Sequence, residues 1–256
     1  MENHVTLDIK KLAEELSTDG PARHKAKLAL QKAVGLVGAK DAEPARKQLA
    51  ATIANYLADS KKDWGRRIPQ AAETLSYGRR ELCRYLGEIA GPDEVPALAK
   101  LMDDLEVREA ARMALGEIPG DAATAELAKI ATEADGTVFR LGALASLAKR
   151  TGQLATEAFR KCAEDADARV RTAAADALSH GAEPGYDGVI QKALDPAEGS
   201  APHADLNKLR LRLAGNLAKA GHKAEAKKLF EAVAAGPHGP RCKKAVTEGL
   251  KALGAG

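Results

Sequence analysis

The sequence predicts an all-α protein, a right-handed solenoid of stacked antiparallel helix pairs. Four segments align without a gap and carry Arg at their second position: 78–86, 107–115, 139–147 and 170–178. They end in leucines at 86, 115, 147 and 178, at steps of 29, 32 and 31 residues, which is the length of a two-helix repeat. Aromatic residues make up only 3% of the chain and alanine is abundant, which favours closely packed helices over sheets.

Each unit is predicted to contain two helices joined by a short turn. In one unit the first apolar face consists of Val107, Ala111, Ala114, Leu115 and Ile118, which follow the 3.6-residue period. Pro119-Gly120 ends this helix, Leu127 and Ile130 repeat the helical spacing in the second, and Asp135-Gly136 closes the unit. Neither helix buries its apolar stripe alone, so stacking of the units is expected to stabilise the fold.

The two ends of the chain are less regular. The pattern predicts N-terminal helices around residues 9–16, 21–38 and 44–57, followed by a polar segment, 59–69, that includes an exposed loop. Segments 209–217 and 242–250 repeat the position pattern after an insert, 195–202, whose prolines and glycine predict a loop with a kink or hinge. We expect capping helices at 1–75, repeats at 76–196 and a C-terminal repeat and cap at 197–256, all in one continuous solenoid domain.

Three short motifs connect the units to a known family. They are Asp104-Leu105-Glu106-Val107-Arg108, Ala114-Leu115-Gly116 and Asp167-Ala168-Arg169-Val170-Arg171. With an Asp before Val-Arg and a later Ala-Leu-Gly, the units resemble HEAT repeats of the short, bacterial, phycobilin-lyase type. The resemblance covers about 120 residues, from Gly78 to Pro196, and implies an α-solenoid. Its pattern is shared by many proteins that are not lyases.

A second resemblance concerns the C-terminal helices. The helix pair 213–233 has Leu213, Leu217, Gly221, Ala226 and Phe230 at spacings similar to those of a tetratricopeptide repeat. The large aromatic residue near the start of that repeat is absent here.

Lysines recur at one position of the second helices. Aligning Leu98, Leu127, Phe159, Ile190 and Ala226 places a lysine two residues later in each unit: Lys100, Lys129, Lys161, Lys192 and Lys228. We call these five residues the lysine series. Two residues correspond to about 200° around a helix, so the lysines are expected to point away from the core. The HEAT resemblance implies that second helices line the concave surface, which would place the series along an inner groove.

The lysine series suits a partner of acidic character. A row of ammonium groups attracts an acidic protein or peptide, or a nucleic-acid backbone. The alternative is that these are ordinary solvated helix positions, and Glu126, Glu157 and Glu225 on the same helices reduce the positive field. Lys and Arg (39) exceed Asp and Glu (36) by only three, so we do not expect a surface devoted to nucleic acid.

A second candidate binding group surrounds the single tryptophan. Trp64, Arg66 and Arg67 lie close in sequence and are followed by Tyr77, Arg80, Arg84 and Tyr85. A tryptophan among arginines is a common interface anchor, so the first three are candidate partner-binding residues. In a chain this poor in aromatic residues, a tryptophan that covers a helix junction is the structural alternative.

An arginine series marks the start of the first helices and has a structural interpretation. Its members are Arg79, Arg108, Arg140, Arg171 and Arg210, with Lys243 at the last equivalent position. Each stem is expected to pack on the next unit while its head meets an Asp of the preceding turn, such as Asp104 or Asp167. These residues are therefore assigned to stacking and not to partner binding.

The sequence contains no recognised catalytic or metal-binding motif. The six histidines form no HExxH motif and no His-Glu pair, whereas the HEAT-like hydroxylase of deoxyhypusine binds iron through repeated His-Glu pairs. Nucleotide-binding and serine-hydrolase motifs are also absent. Cys83, Cys162 and Cys242 lie 79 and 80 residues apart in predicted helices, which favours reduced structural thiols. We expect no enzyme activity, metal or cofactor.

The combined interpretation is a non-enzymatic scaffold that binds an acidic protein or peptide along its concave groove. A tetrapyrrole or bilin lyase-like protein is the first alternative, and a nucleic-acid-binding solenoid is the second. The N-terminal residues show no basic leader followed by an apolar core, and no apolar run reaches membrane-spanning length. We therefore expect a cytoplasmic protein without membrane association.

Overall fold

The structure, a computed structural model, describes residues 7–39, 41–59, 69–194, 203–237 and 239–254. Over these ranges the chain forms fourteen α-helices and no strand, with a short 3-10 helix at Pro92–Glu94. The helices are α1 (Ile9–Leu16), α2 (Pro21–Val37), α3 (Glu43–Asp59), α4 (Pro69–Ile89), α5 (Val95–Ala99), α6 (Arg108–Glu117), α7 (Asp121–Glu133), α8 (Thr137–Leu147), α9 (Gln153–Cys162), α10 (Ala168–Ser179), α11 (Tyr186–Leu194), α12 (His203–Lys219), α13 (Lys223–Ala235) and α14 (Pro240–Ala252). The all-α prediction is confirmed.

The chain folds as two compact units, Met1–Leu127 and Ala128–Gly256. Unit 1 contains α1 to α6 and the first half of α7, and unit 2 contains the remaining helices. The leucines that close the repeated segments are at most 1% exposed: Leu86 and Leu115 in unit 1, Leu147 and Leu178 in unit 2. This burial confirms the α-solenoid repeat register. The predicted domain borders near residues 75 and 196 remain predictions.

The N-terminal helices of unit 1 follow their local sequence signals. Asp8 caps α1, because its carboxylate accepts a hydrogen bond from the Lys11 N–H at 3.0 Å. Pro21 opens α2, where its fixed φ and missing N–H are tolerated. At the other end of α1, Arg23 Nε donates to the Leu16 carbonyl at 3.0 Å and satisfies one of the free helix carbonyls. The three predicted N-terminal helices are confirmed.

A glycine lets α1 approach α4 closely in unit 1. The Gly78 N–H donates to Ser17 Oγ at 3.1 Å, and that hydroxyl donates to the Ala13 carbonyl at 2.8 Å. A Cβ on residue 78 would overlap the Ala13 carbonyl oxygen and lie 2.6 Å from Ser17 Oγ. The aligned residues of the other repeats are Val107, Phe139 and Val170. Helix α1 therefore occupies the space that a side chain fills elsewhere.

The turns within the helix pairs lie where the sequence predicts them. Gly120 and Gly152 adopt φ of +97° and +113°, a region that a residue with a Cβ rarely occupies. The pair in unit 1 has a short second helix, since α5 has five residues and begins after the 3-10 turn at Pro92–Glu94. Pro96 lies in its first turn, where a missing N–H is tolerated.

The C-terminal helices of unit 2 form a pair, α12 and α13, followed by α14. Leu213 and Leu217 of α12 are fully buried, while α14 buries only Val246 among the residues that it contributes. The predicted role of this helix as a C-terminal cap stays a prediction. The kink expected at 195–202 lies outside the described residues.

Candidate partner-binding surface

The structure places the lysine series on the surface. All five lysines are exposed, and the apolar residues two positions earlier are at most 6% exposed: Leu98, Leu127, Phe159, Ile190 and Ala226. Lys129, Lys161, Lys192 and Lys228 belong to α7, α9, α11 and α13 of unit 2, whereas Lys100 follows the last residue of α5 in unit 1. The predicted orientation is therefore confirmed, and the partner-binding role stays a prediction.

Two lysines of unit 2 pair with a glutamate at the end of the preceding second helix. Lys161 Nζ lies 3.5 Å from Glu133 Oε1, at the last residue of α7. Lys192 Nζ lies 2.8 Å from Glu164 Oε1, two residues after α9. The hydrogen bond from Lys192 lowers the pKa of Glu164 below its ordinary value. Because these pairs bridge α7 to α9 and α9 to α11, they define one surface, which we call the unit 2 lysine face (Lys129, Lys161, Lys192).

The tryptophan group lies outside the described residues. Trp64, Arg66 and Arg67 belong to the segment between α3 and α4 that the structure does not describe. Their predicted role in partner binding stays a prediction.

The α4 residues that follow the tryptophan group are paired within the protein. The Arg84 guanidinium lies 3.8 Å from the centroid of the Tyr85 ring, and Tyr85 is itself buried. Arg84 also forms ion pairs with Glu81 at 3.3 Å and with Glu88 at 3.1 Å. Since two carboxylates surround this guanidinium, Arg84 does not create a basic patch on α4.

The arginine series has its predicted structural role, although the partners differ in part. Arg79 Nη1 pairs with Asp104 Oδ2 at 2.7 Å, and Arg140 pairs with Asp165. In both cases the aspartate lies in the turn after the second helix, and the expectation of a preceding turn is wrong for these two. The reason is geometric. The second helix of a pair runs back along the first, so the turn that follows the second helix lies beside the first helix.

Two arginines of unit 2 also bind the carbonyl ends of second helices. Arg140 Nε donates to the Ala131 carbonyl of α7 at 2.9 Å, and Arg171 Nε donates to the Ala193 carbonyl of α11 at 3.3 Å. The C-terminal end of a helix carries partial negative charge, so a guanidinium is favourable there. Arg171 Nη1 further donates to the Asp165 carbonyl at 2.9 Å, and these bonds join successive repeats.

Asp167 was an expected partner of the arginine series, and the structure gives it a different role. Its Oδ2 atom accepts hydrogen bonds from Thr137 Oγ1 at 2.7 Å and from Arg169 Nη2 at 2.8 Å. Its Oδ1 atom accepts the Arg169 N–H at 2.9 Å and caps α10. These bonds hold the pKa of Asp167 well below its usual range. Asp167 therefore connects the starts of α8 and α10.

The three cysteines are free thiols, and two of them are buried. Burial raises the pKa of Cys83 to about 12. Burial also raises the pKa of Cys162, whose Sγ lies 3.5 Å from the Ala131 carbonyl. Both buried thiols are therefore protonated at neutral pH and serve in packing.

Among the residues that the structure describes, no group of three or more His, Cys, Asp and Glu side chains is placed to hold a metal ion. The helices of the described ranges include none with the length and apolar character needed to cross a membrane.

Sequence reasoning missed a surface groove between α8 and α10 in unit 2. The groove has a volume of about 630 Å³. It is lined by Leu141, Leu144, Ala145, Ala148, Ala168, Arg169, Thr172, Ala173, Asp176 and Ala177. The signal was present in α8, where Val138, Leu141, Ala145 and Ala148 follow helical spacing on a face other than the one that buries Leu147. A helix that is apolar on two faces indicates a second apolar surface.

The helix pairs and their register are those of an α-solenoid of helical repeats. Residues 66–148 match a family model described as HEAT repeats, about a third of the chain. This match confirms the resemblance that the sequence motifs indicated. The match ends within unit 2, at residue 148.

Comparison with individual proteins adds little to this assignment. Human deoxyhypusine hydroxylase, solved in complex with glycerol, is similar at 15% identity over 96% of this chain and 94% of its own, with a TM-score of 0.34. A likeness at that level does not bear on activity. No curated protein matches the chain at a significant level.

Proposed function

We propose that this protein is a non-enzymatic scaffold that binds an acidic protein segment through the lysines of its second helices. One observation supports the proposal above the others. In unit 2, Lys129, Lys161, Lys192 and Lys228 are exposed at the same position of successive second helices. A repeated cation along stacked helices attracts and orients an extended acidic partner.

A protein partner fits the charge balance better than nucleic acid does. The chain carries a formal net charge of only +3, and Glu133 and Glu164 lie within ion-pair distance of two of the lysines. A protein that binds nucleic acid mainly through phosphates needs many cations without such neighbours. HEAT repeats generally serve as protein-interaction surfaces, which further supports a scaffold in the cytoplasm, where free thiols persist.

The test is a pull-down from native lysate with matched lysine variants. The binding variant changes Lys129, Lys161, Lys192 and Lys228 to Gln, and the control changes Lys149, Lys208, Lys219 and Lys251, four other exposed lysines of unit 2. We expect a specific acidic protein to be captured by wild type and control but lost with the binding variant. Circular dichroism should show equal helicity for all three proteins.

The same experiment separates the alternatives. Nuclease-treated and untreated lanes are compared, and capture that depends on intact nucleic acid would favour the nucleic-acid-binding solenoid. A pigment that co-purifies or changes absorbance would favour the lyase-like protein. Equal capture by the binding variant and the control would contradict the proposed lysine surface.

A further inference from the structure

The groove between α8 and α10 differs in chemistry from the next surface between first helices in unit 2. Between α10 and α12, Arg212 Nη1 lies 2.9 Å from Asp176 Oδ1, so an ion pair joins the two helices. The aligned residues one repeat earlier are Ala145 and Ala173, and both line the groove. Because methyl groups form no ion pair, the surface between α8 and α10 stays apolar at these positions.

The surface between α4 and α6 in unit 1 also carries a charged pair. Arg80 Nη1 donates to the Glu106 carbonyl at 3.4 Å and lies 3.8 Å from the Glu106 carboxylate. The aligned residues of unit 2 are Leu141 and Arg169, so an apolar side chain lies where unit 1 has its cation. The α8–α10 groove is therefore apolar at positions where two other helix pairs are joined by charge.

The apolar surface continues along α8 beyond the groove. Val138 lies one turn before Leu141, and its side chain is 78% exposed. Ala145 and Ala148 are exposed too and follow on the same side of α8, since the four residues are three, four and three positions apart. This side of α8 therefore presents two large apolar residues near its start and two alanines near its end.

That order makes the surface complementary to an inverted copy of itself. If two copies of α8 lie antiparallel about a two-fold axis near Ala143, residues equally far from position 143 face each other. Val138 of one copy then faces Ala148 of the other, five positions from the centre. Leu141 faces Ala145 in the same way, two positions from the centre. Large side chains meet small ones at both ends, as a symmetric interface between identical chains requires.

The charges on α10 have the same symmetry. Arg169 and Asp176 both line the groove and are seven residues apart, so they lie on one side of α10 at about 10 Å along its axis. In the antiparallel arrangement, Arg169 of each copy lies toward Asp176 of the other, which gives two attractive contacts. The two side chains are 66% and 47% exposed. Asp167 binds Nε and Nη2 of Arg169, and Nη1 carries two further N–H donors.

We propose that this protein forms a two-fold symmetric dimer through the exposed sides of α8 and α10, with the helices of the two copies antiparallel. The groove is covered by the same surface of the second copy. The lysine series belongs to the second helices, whereas this surface belongs to first helices. Self-association therefore goes beyond the proposed scaffold function and does not depend on it.

The dimer is expected to be weak, and the first test measures it directly. Helices of 11 and 12 residues make a small interface, and small interfaces form transient complexes. Sedimentation velocity of the full chain, from about 5 to about 200 µM, should show monomer at the low end of the range and dimer at the high end.

A charge placed in the apolar surface tests its location. Ala145→Glu puts a carboxylate at an exposed position of α8, where dimer formation would bury it against the second copy. We expect the dissociation constant of the dimer to rise at least about tenfold. The matched control is Ala232→Glu, at an exposed alanine within α13, which should dimerise as wild type does. Circular dichroism should show equal helicity for the three proteins.

A charge exchange tests the antiparallel arrangement. Arg169→Glu brings like charges together at both contacts, and so does Asp176→Lys, so each variant alone should remain monomeric. An equimolar mixture of the two variants should restore the dimer, because each altered side chain then faces an opposite charge on the other copy. Restoration by mixing also shows that neither variant was monomeric through loss of the fold.

Each outcome decides one part of the inference. Monomer at every concentration overturns the dimer and leaves the lysine-based scaffold proposal to its own pull-down. Equal dissociation constants for Ala145→Glu and wild type would overturn the α8–α10 surface as the interface. A mixture of folded Arg169→Glu and Asp176→Lys proteins that stays monomeric would overturn the antiparallel arrangement.

Discussion

The first repeat of unit 1 and the repeats of unit 2 use the same position in different ways. In the first repeat of unit 1 that position is Gly78, and helix α1 packs against its backbone through Ser17. In unit 2 the aligned residue is Phe139, whose side chain is buried at 6% exposure. A repeat in the middle of a stack fills the position with its own side chain. The repeat beside α1 leaves it empty, because α1 supplies the contact.

The arginine next to this position shows the same contrast. Arg140 of unit 2 binds both the Ala131 carbonyl and the Asp165 carboxylate. Arg79 of unit 1 is 5% exposed and pairs with Asp104, but its Nε and Nη2 atoms are buried with no hydrogen-bond partner in the described part of the chain. Arg140 therefore binds both a helix carbonyl and a carboxylate, and Arg79 binds the Asp104 carboxylate.

The largest expected effect tests whether both units share one type of core. Leu115→Ala in unit 1 and Leu147→Ala in unit 2 each remove a fully buried side chain, at an expected cost of about 2–5 kcal/mol in the free energy of unfolding. Chemical denaturation measures the loss, and hydrogen exchange assigns it to a unit. Val138→Ala, at a side chain 78% exposed, is the control. An unchanged midpoint for either leucine variant would contradict the repeat register.

The next prediction concerns the glycine that distinguishes the first repeat of unit 1. Gly78→Ala places a Cβ against the Ala13 carbonyl and Ser17, so we expect a loss of about 2–3 kcal/mol from forced separation of α1 and α4. Hydrogen exchange should increase in α1 and leave unit 2 unaffected. Gly35→Ala in α2, which has nothing within 4 Å of the new methyl group, should instead stabilise by about 0.5–1 kcal/mol. Similar effects of both changes would mean that α1 does not pack at Gly78.

The difference between the bonds of Arg140 and those of Arg79 predicts unequal losses of stability for two matched double variants. Arg140→Met with Asp165→Asn removes the ion pair and the bond to Ala131, and should cost about 1–3 kcal/mol. Arg79→Met with Asp104→Asn removes a buried ion pair together with the two unpartnered guanidinium nitrogens, and should change stability by less than about 1 kcal/mol. Urea denaturation of both proteins gives the comparison. Equal losses would show that Arg79 is bonded as fully as Arg140.

The smallest expected effect is a pH dependence in unit 2. Burial disfavours the charged form of Asp165, but hydrogen bonds from Arg140 and from the Asp167 N–H outweigh it and hold the pKa of Asp165 below its ordinary value. Its contribution to stability is therefore complete above the unfolded pKa of about 3.9 and is lost as pH falls through the lower folded value. Asp165→Asn should flatten the decline in thermal stability between about pH 4 and pH 2.

An exposed aspartate provides the control for this pH dependence. The Asp19 side chain is 90% exposed, so Asp19→Asn should leave the acid limb of the stability curve as it is in wild type. If the Asp165→Asn variant keeps the wild-type pH dependence of thermal stability, Asp165 is not the group responsible for the decline at low pH.

Much of the fold was predictable because the same sequence pattern recurs in several repeats. The leucine register and the turns at Gly120 and Gly152 follow from local spacing and glycine chemistry, and all are present in the structure. The exposure of the lysine series was predictable for the same reason, since helical periodicity determines which side a residue faces. Partner binding was not predictable, because exposure shows that a lysine is accessible and does not show what it binds.

Other features required contacts between residues distant in sequence. The pairing of Arg79 with Asp104 joins residues 25 apart, and the pairs on the unit 2 lysine face join residues 28 apart. The motif around Asp167 indicated an arginine partner, but the choice of Arg169 and Thr137 depends on how two helix starts meet. Sequence alignment of repeats shows equivalent positions and does not show which neighbour each one touches.

The sequence by itself determined the all-α class, the two-helix repeat and the buried leucine positions, because these follow from periodicities within some thirty residues. The tertiary structure decided which cation meets which carboxylate, why Gly78 replaces a large apolar residue, and where an apolar groove lies between α8 and α10. The physical reason is that side-chain pairing and close packing depend on distances between helices. Local propensity fixes each helix, but only their packing fixes those distances.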